Sequence, residues 1–332
     1  MRWVCLLSAL SACGGGSETL PALMDTGWFT DTGSIVDAYG CVHKIGGFEP
    51  QGGADWYHRS PPSLWVNEAN PDAYTVSLVD EDEVPAPVTP TWSEDELRLT
   101  LTLDEPLRPD THYTLRASDC GANHEVGFKT STLGLPLTVE PSELVGKTWL
   151  MDMINADWVE PGGAEALVQL YFSDPTLLAV QRLDGDIIEL LGAAGETDLL
   201  GDLIQAPGAT WDFPTASFAE APYFASASGL VVLKFQGVGI PIHDAVLAGT
   251  FTSDGSGIGG GSLEGMGDTS DLGAFLGAGF EDDPYAVCDL AAGLGISCEP
   301  CPDSGVATCL RMSARDLTGE LVDGLVLTPQ AT

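Results

Sequence analysis

Cysteine is the residue whose spacing carries the most chemistry in this chain. The stretch "SCEPCPD" (297–303) sets Cys298 and Cys301 three positions apart, with Cys288 before them and Cys309 after. Three chemistries use such a pair. A Cys-x-x-Cys can cycle between dithiol and disulfide when a helix start in a βαβ unit stabilises its thiolate. Four cysteines can hold zinc, most often as two close pairs. In an oxidising compartment the same residues close structural disulfides. Pro300, Pro302 and Gly305 around the pair offer no helix start, and the spacing C-x9-C-x2-C-x7-C holds one close pair. Disulfides are therefore expected, with Cys298 and Cys301 each pairing outward to Cys288 and Cys309. Spacing leaves the order open, and zinc or redox use remains the rival reading. Of the other cysteines, Cys41 and Cys120 are expected to pair with each other, which makes an even set of six.

The choice rests on the compartment, and the first residues speak to that. In "MRWVCLLSALSACGGGSE" one basic residue, Arg2, precedes an apolar run from Trp3 to Leu10. The run is too short to span a bilayer and suits the core of an export signal. It ends in Leu10-Ser11-Ala12-Cys13, which resembles the lipobox of bacterial lipoproteins. That resemblance implies a signal peptide over 1–12, cleavage before Cys13, and a lipid on the Cys13 sulfur. Each buried CH2 of such a lipid contributes about 0.8 kcal/mol of membrane attachment. Gly14 after the cysteine, by resemblance to enterobacterial sorting, implies the outer membrane. Cys5 would leave with the signal. No later stretch reads as membrane-spanning.

Charge narrows the partners. Twelve basic residues against 49 acidic ones give a formal charge of −37. Such a field repels nucleic acid and anionic surfaces, so nucleic-acid binding is excluded. The acidic clusters "VDEDE" (79–83), "SEDE" (93–96) and "FEDD" (280–283) lack the loop spacing of an EF-hand, as does "LDGDI" around Asp184 and Asp186, and read as solvated turns. No metal and no cofactor is expected. His58, His112 and His124 stand apart from one another as surface or packed residues. His243 beside Asp244 is the only histidine after residue 124, and adjacency in sequence does not make a triad. "GSGIGG" (255–260) matches the dinucleotide pattern but leads into "GSLEGMGD", a poor helix start, and reads as glycine bends between strands. "VGKT" (145–148) lacks the first glycine of a phosphate loop. No catalytic residue is assigned.

The elements that would position these residues are mostly strands. Residues 13–40 are expected to be the cysteine that the lipobox resemblance implies is lipidated, and a Gly/Ser/Thr/Asp-rich tether, about 30 Å across as a flexible chain. From 41 to 132 apolar and polar residues alternate: Tyr74, Val76, Leu78; Leu97, Leu99, Leu101, Leu103; Tyr113, Leu115, Ala117; Val126, Phe128. Period two with one apolar face is the pattern of a sandwich strand. "TPTWSEDELRLTLT" and "DEPLRPDTHYTLRASD" resemble bacterial Ig-like domains of the S-layer SbsA type, related in pattern to fibronectin type III. The resemblance implies a spacer or binding module and makes Tyr113 a corner tyrosine whose hydroxyl meets backbone. "RSPPSLWVNEANP" is shorter than the family's second strand and loop.

Residues 133–143 read as a proline-bearing linker and 144–332 as a second, disulfide-closed β-rich domain, barrel or sandwich. Strand-like runs lie at 149–154, 167–172, 230–235, 245–251 and 308–313, and two short helices are expected, at 268–278 and 283–295, the latter capped by Asp283 with Pro284 in its first turn. Gly146 and Trp149 resemble the Gly-x-Trp start of lipocalin-like barrels, one residue too widely spaced. The overall expectation is a mainly β protein, an Ig-like sandwich followed by a larger β domain. It resembles surface lipoproteins of myxobacteria: non-enzymatic, lipid-anchored at the outer membrane or cell surface, and presenting its second domain to a protein or envelope partner. A carrier of a small apolar ligand is the alternative.

Overall fold

The computed structural model describes residues 42–53, 55–162, 175–208, 210–235, 238–276, 279–280, 282–293 and 295–330. Cys5, Cys13, the tether, Cys41 and the strand expected at 167–172 lie outside them.

Seven strands make the first domain: β1 (Ile45–Glu49), β2 (Ser63–Val66), β3 (Thr75–Asp80), β4 (Val88–Trp92), β5 (Arg98–Leu103), β6 (His112–Ser118) and β7 (Asn123–Lys129). They form two sheets, ordered β1-β2-β5-β4 and β3-β6-β7, the four-plus-three order of an Ig constant-type sandwich. Alternation explains the pairing of the sheets. Tyr113, Leu115 and Ala117 of β6 point inward between exposed or half-buried neighbours, and they meet Leu99 and Leu101 from the opposite sheet. The Tyr113 hydroxyl accepts a hydrogen bond from the Arg108 backbone N–H at 2.9 Å, while its ring stacks on Phe128 at 5.9 Å. This pins the β5–β6 corner. β1 switches sides: after Glu49 the chain crosses over, and Trp56 bridges Thr130 in parallel beside the β7 edge.

The second domain is a closed barrel. Its strands are β8 (Thr148–Asp152), β9 (Asp157–Glu160), β10 (Thr176–Asp184), β11 (Ile187–Thr197), β12 (Leu203–Gln205), β13 (Trp211–Asp212), β14 (Ala216–Ser217), β15 (Tyr223–Ser226), β16 (Gly229–Phe235), β17 (Val238–Phe251), β18 (Gly257–Asp268) and β19 (Cys309–Leu321). Several are pieces of one broken stave. β8 and β9 both pair with β19, β12, β13 and β14 all pair with β11, and β15 and β16 both pair with β17. Counted as staves, the sheet runs β8/β9, β10, β11, β12–β14, β15/β16, β17, β18, β19, and β19 returns to β8. All these pairings are antiparallel, so this is an eight-stave up-and-down barrel, closed at its weakest seam by two β14–β15 residue pairs.

Every stave sends apolar side chains inward. Trp149, Met151, Leu178, Val180, Ile188, Leu190, Phe224, Ile242, Phe251, Ile258, Leu263, Ala314 and Leu317 share one cluster. At its centre the Phe251 ring lies 5.0 Å from Trp149 and 5.1 Å from Phe224. Each such ring contributes roughly 1.5–3 kcal/mol by leaving water. The 3-10 turn Pro141–Leu144, held by a reciprocal Glu140–Glu143 cap, drives Leu144 into one mouth of the barrel, where it is wholly buried. The outer wall of β10 and β11 is apolar too, and the C-terminal segment covers it with Leu325 and Leu327.

Among the described residues helix is sparse: an α-helix, α1 (Ala286–Ala292), and short 3-10 segments, the longest Ser270–Leu276. α1 starts later than the sequence suggests. The Asp283 carboxylate accepts the Tyr285 N–H at 3.0 Å, which makes a separate turn before the helix and leaves Tyr285, not Asp283, at its N-cap. Of "GSGIGG" (255–260), Gly255 sits in the bend between β17 and β18 as expected, whereas Gly257, Gly259 and Gly260 belong to the first half of β18.

Candidate functional site at the two ends of the barrel

An up-and-down meander sorts its connections to alternate ends. The turns 185–186, 218–222 and 252–256 fall at one end with Thr148 and Leu321, while 198–202 and 269–308 fall at the other. The first end meets the Ig-like domain and is called near here; the second is distal.

At the near end the two domains are keyed together. The Tyr57 ring lies against Gly260, where an added Cβ would sit 2.4 Å from it, and Leu133 lies likewise against Gly259 at 2.6 Å. Gly260 has φ +54°, so both backbone conformation and space favour glycine here. The Tyr57 hydroxyl hydrogen-bonds Thr250 Oγ1 at 2.7 Å. Burial pushes the Tyr57 phenol up, against that hydrogen bond and the Arg59 charge. The Arg59 guanidinium sits 3.6 Å over the Tyr223 ring and pairs with Glu220. The linker is docked as well, with Thr138 donating from N–H and hydroxyl to the Ser253 carbonyl at 2.7 and 3.0 Å. Between these contacts His58 is 4% exposed. Its ring packs on Gly134 and Tyr57, and its Nδ1 has no hydrogen-bond partner among the described residues. Burial first, and then the Arg59 charge, lower its pKa to about 4. It is thus a neutral, packed residue.

A void inside the barrel, bordered by Met151, Leu178, Phe213, Leu247 and Leu263 among others, measures about 20 Å³. That is room for a single water, and the lining is apolar; ligand pockets are of the order of 300–1,000 Å³.

At the distal end two disulfides brace the long connection, Cys288–Cys298 and Cys301–Cys309. The first ties α1 to the following loop. The second folds that loop onto the start of β19, where Glu299 and Cys309 also bridge by backbone. Cys120 of the first domain is disulfide-bonded too; Cys41, its expected mate, lies outside the described residues. Asp268 approaches the Cys301 and Cys309 sulfurs closely enough to suggest a metal set. Both sulfurs are committed to the disulfide, however, and the Asp268 carboxylate accepts from the Thr308 hydroxyl and Ser270 N–H.

The remaining candidates are not brought together. His243 Nε2 is buried without a hydrogen-bond partner among the described residues, 3.6 Å from Asp303 Oδ1, whereas the neighbouring Asp244 accepts from the Ser228 hydroxyl. His124 lies beside Asp119 at 3.2 Å, and His112 is exposed on β6. The acidic clusters shape turns: Asp80 accepts from the Asp82 and Val84 N–H groups, and Asp95 from the Ser93 hydroxyl and Leu97 N–H. Those bonds, the Ser93 hydroxyl foremost, hold the Asp95 carboxyl below its usual range.

What the distal end does carry is exposed apolar surface. Leu199 and Leu200 on the 198–202 turn, and Phe280, Tyr285, Leu290 and Val306 on the disulfide-braced connection, are all open to solvent. No cation occurs anywhere in residues 269–308, which hold seven carboxylates. Sequence reading missed the Tyr57–Gly260 key and the Leu199–Leu200 pair. "GSGIGGGS", read as bends, is the signal that could have found the first, since glycine also fits where a side chain comes close to backbone.

No family model matches the chain, and no curated protein matches it. Among solved structures, an uncharacterized protein of Listeria monocytogenes, crystallised with glucose, magnesium and calcium, aligns over 68% of this chain and 21% of its own at 11% identity, with a TM-score of 0.17. The chain spans about a fifth of that protein's length, and a likeness of this degree carries no argument. Among the described residues no helix is long and apolar enough to cross a membrane.

Proposed function

We propose that this is an exported, lipid-anchored, non-enzymatic protein of the outer membrane or cell surface, whose Ig-like module holds the barrel and presents its distal end to a protein or envelope partner. The observation that carries the reading is the contrast between the ends. The chain's own Ig-like domain and linker dock on the near end, which still leaves Val145 and Ile187 open, and the distal end keeps a larger set of apolar side chains exposed on a disulfide-braced frame. Exposed apolar surface on a braced scaffold is the usual mark of a contact face. Membrane attachment through Cys13 rests on the lipobox-like start, and the acidity of the chain speaks against nucleic acid as a partner.

A carrier of a small apolar ligand is favoured by the closed meander of eight staves. The packed Trp149–Phe251–Phe224 centre stands against it. Two measurements test the proposal. Radioactive palmitate should label the chain and fail to label Cys13→Ser; no label on the unmutated protein would remove the anchor from the account. Organic extraction of the purified chain followed by mass spectrometry should yield no stoichiometric apolar molecule, and finding one would install the carrier reading instead.

A further inference from the structure

The turn joining β11 to β12 is stiffly built for its size. The Asp198 carboxylate accepts the Leu200 and Asp202 N–H groups at 2.8 and 2.9 Å. The backbone closes with Asp198 N–H on the Asp202 carbonyl and Gly201 N–H on the Asp198 carbonyl, and Gly201 takes φ +92°. Its base is clamped from outside: Gln205 exchanges two hydrogen bonds with the Thr328 backbone, at 2.9 and 2.8 Å, and Leu203 packs against the cluster of Leu177, Leu191 and Leu327.

On this frame Leu199 is 105% exposed and Leu200 84%, whereas the next most exposed large apolar residue among those described, Val326, reaches 61%. Turn geometry does not require leucine at either place, because Asp198 and Gly201 set it and such positions ordinarily hold polar residues. Two adjacent leucines in full solvent contribute nothing to the fold and would contribute on burial in a partner. The surroundings state the partner's charge. Glu196, Asp198 and Asp202 flank the leucines, and no Lys, Arg or His occurs from residue 183 to 233. An anionic lipid surface is repelled by such a site, and a surface bearing Lys or Arg is attracted.

We propose that the Leu199–Leu200 turn is the docking knob of this protein, seating in an apolar socket bordered by lysine or arginine on a partner protein. This rests on the reading of the distal end as the contact face. The test uses the purified full chain carrying Cys13→Ser throughout, so that no acyl chain intervenes. Its probes are a Leu/Lys amphipathic peptide, its Leu/Glu counterpart, and phosphatidylcholine vesicles with and without phosphatidylglycerol. The Leu/Lys peptide should bind at physiological salt, and Leu199→Ser/Leu200→Ser should weaken it at least tenfold, with an unchanged urea midpoint showing that the variant folds. Leu290→Ser, on α1 at the same end, should change it less than twofold. Unaltered affinity in the serine pair would overturn the knob, as would vesicle binding that the serine pair abolishes. A loss on Leu290→Ser instead would refute the knob while keeping the distal face. A footprint of the bound peptide confined to the Ig-like domain would refute both.

Discussion

Two hairpin turns of the barrel, 252–256 and 198–202, are made the same way and end differently. In each an aspartate organises the turn: Asp254 accepts from the Thr252 hydroxyl and from Ser256, and Asp198 from Leu200 and Asp202. In each a glycine takes positive φ, Gly255 at +69° and Gly201 at +92°. The Thr252 hydroxyl above all, with Ser256, holds the Asp254 carboxyl down to about 2. The near turn is then overlaid by the linker, with Thr138 on Ser253 and Leu144 against Gly255. The distal turn carries two leucines, and among the described residues both stay open to solvent. Local chemistry therefore does not decide exposure here; whether the chain itself supplies a cover does.

The comparison breaks most severely at Gly260. A valine there meets the Tyr57 ring and a positive φ at once, and strain plus overpacking should cost about 4 kcal/mol. Urea unfolding would read that loss, and small-angle scattering of the folded fraction should show the domains parted; a variant as stable and compact as the original would deny the key. Acid probes the same junction. The folded His58 binds its proton only near pH 4, whereas the unfolded residue binds it near 6.5. The unfolded state therefore holds more protons between those values, and stability falls as pH drops from 6.5 to about 4, by roughly 3 kcal/mol. His58→Leu should flatten that part of the pH–stability curve; an identical slope would place the acid response elsewhere.

At the distal end the expected effects are smaller. Replacing Cys301 and Cys309 together by serine removes a short covalent loop, worth about 2–3 kcal/mol in a chain-entropy account. Thermal unfolding of the double variant should show the drop, and its absence would mean that the corner holds without the bridge. Leu199→Ser/Leu200→Ser should sharpen the contrast by changing stability by no more than about 0.5 kcal/mol, as exposed substitutions do. A larger loss would make the leucines part of the fold.

The same contrast separates what the sequence made legible from what it did not. The first domain was readable where residues alternate strictly, through Leu99–Leu101 and Tyr113–Ala117, and the corner hydroxyl of Tyr113 was implied by the resemblance to Ig-like domains. β1 and β4 were not, because Gly46, Gly47 and Pro90 interrupt any alternation. In the second domain strands were visible but closure was not. It depends on β8 meeting β19 from the far end of the domain, and on the stave of β12, β13 and β14, broken by Pro207 and Pro214. Cysteine spacing narrowed the distal pairing without ordering it; the order follows from where α1 sits. Leu199 and Leu200 escaped notice for a simple reason: a leucine counts as core in any pattern until a structure shows it facing water.

The central claim is that the near end is covered by this chain and the distal end awaits another. Hydroxyl-radical footprinting of the purified chain, compared with the same chain on intact cells, tests it most directly. Leu199 and Leu200 should be modified readily in the purified chain and protected severalfold on cells, while Tyr57 and Leu133 stay protected in both. Equal modification of the two leucines in both settings, or a Tyr57 as reactive as they are, would contradict the account.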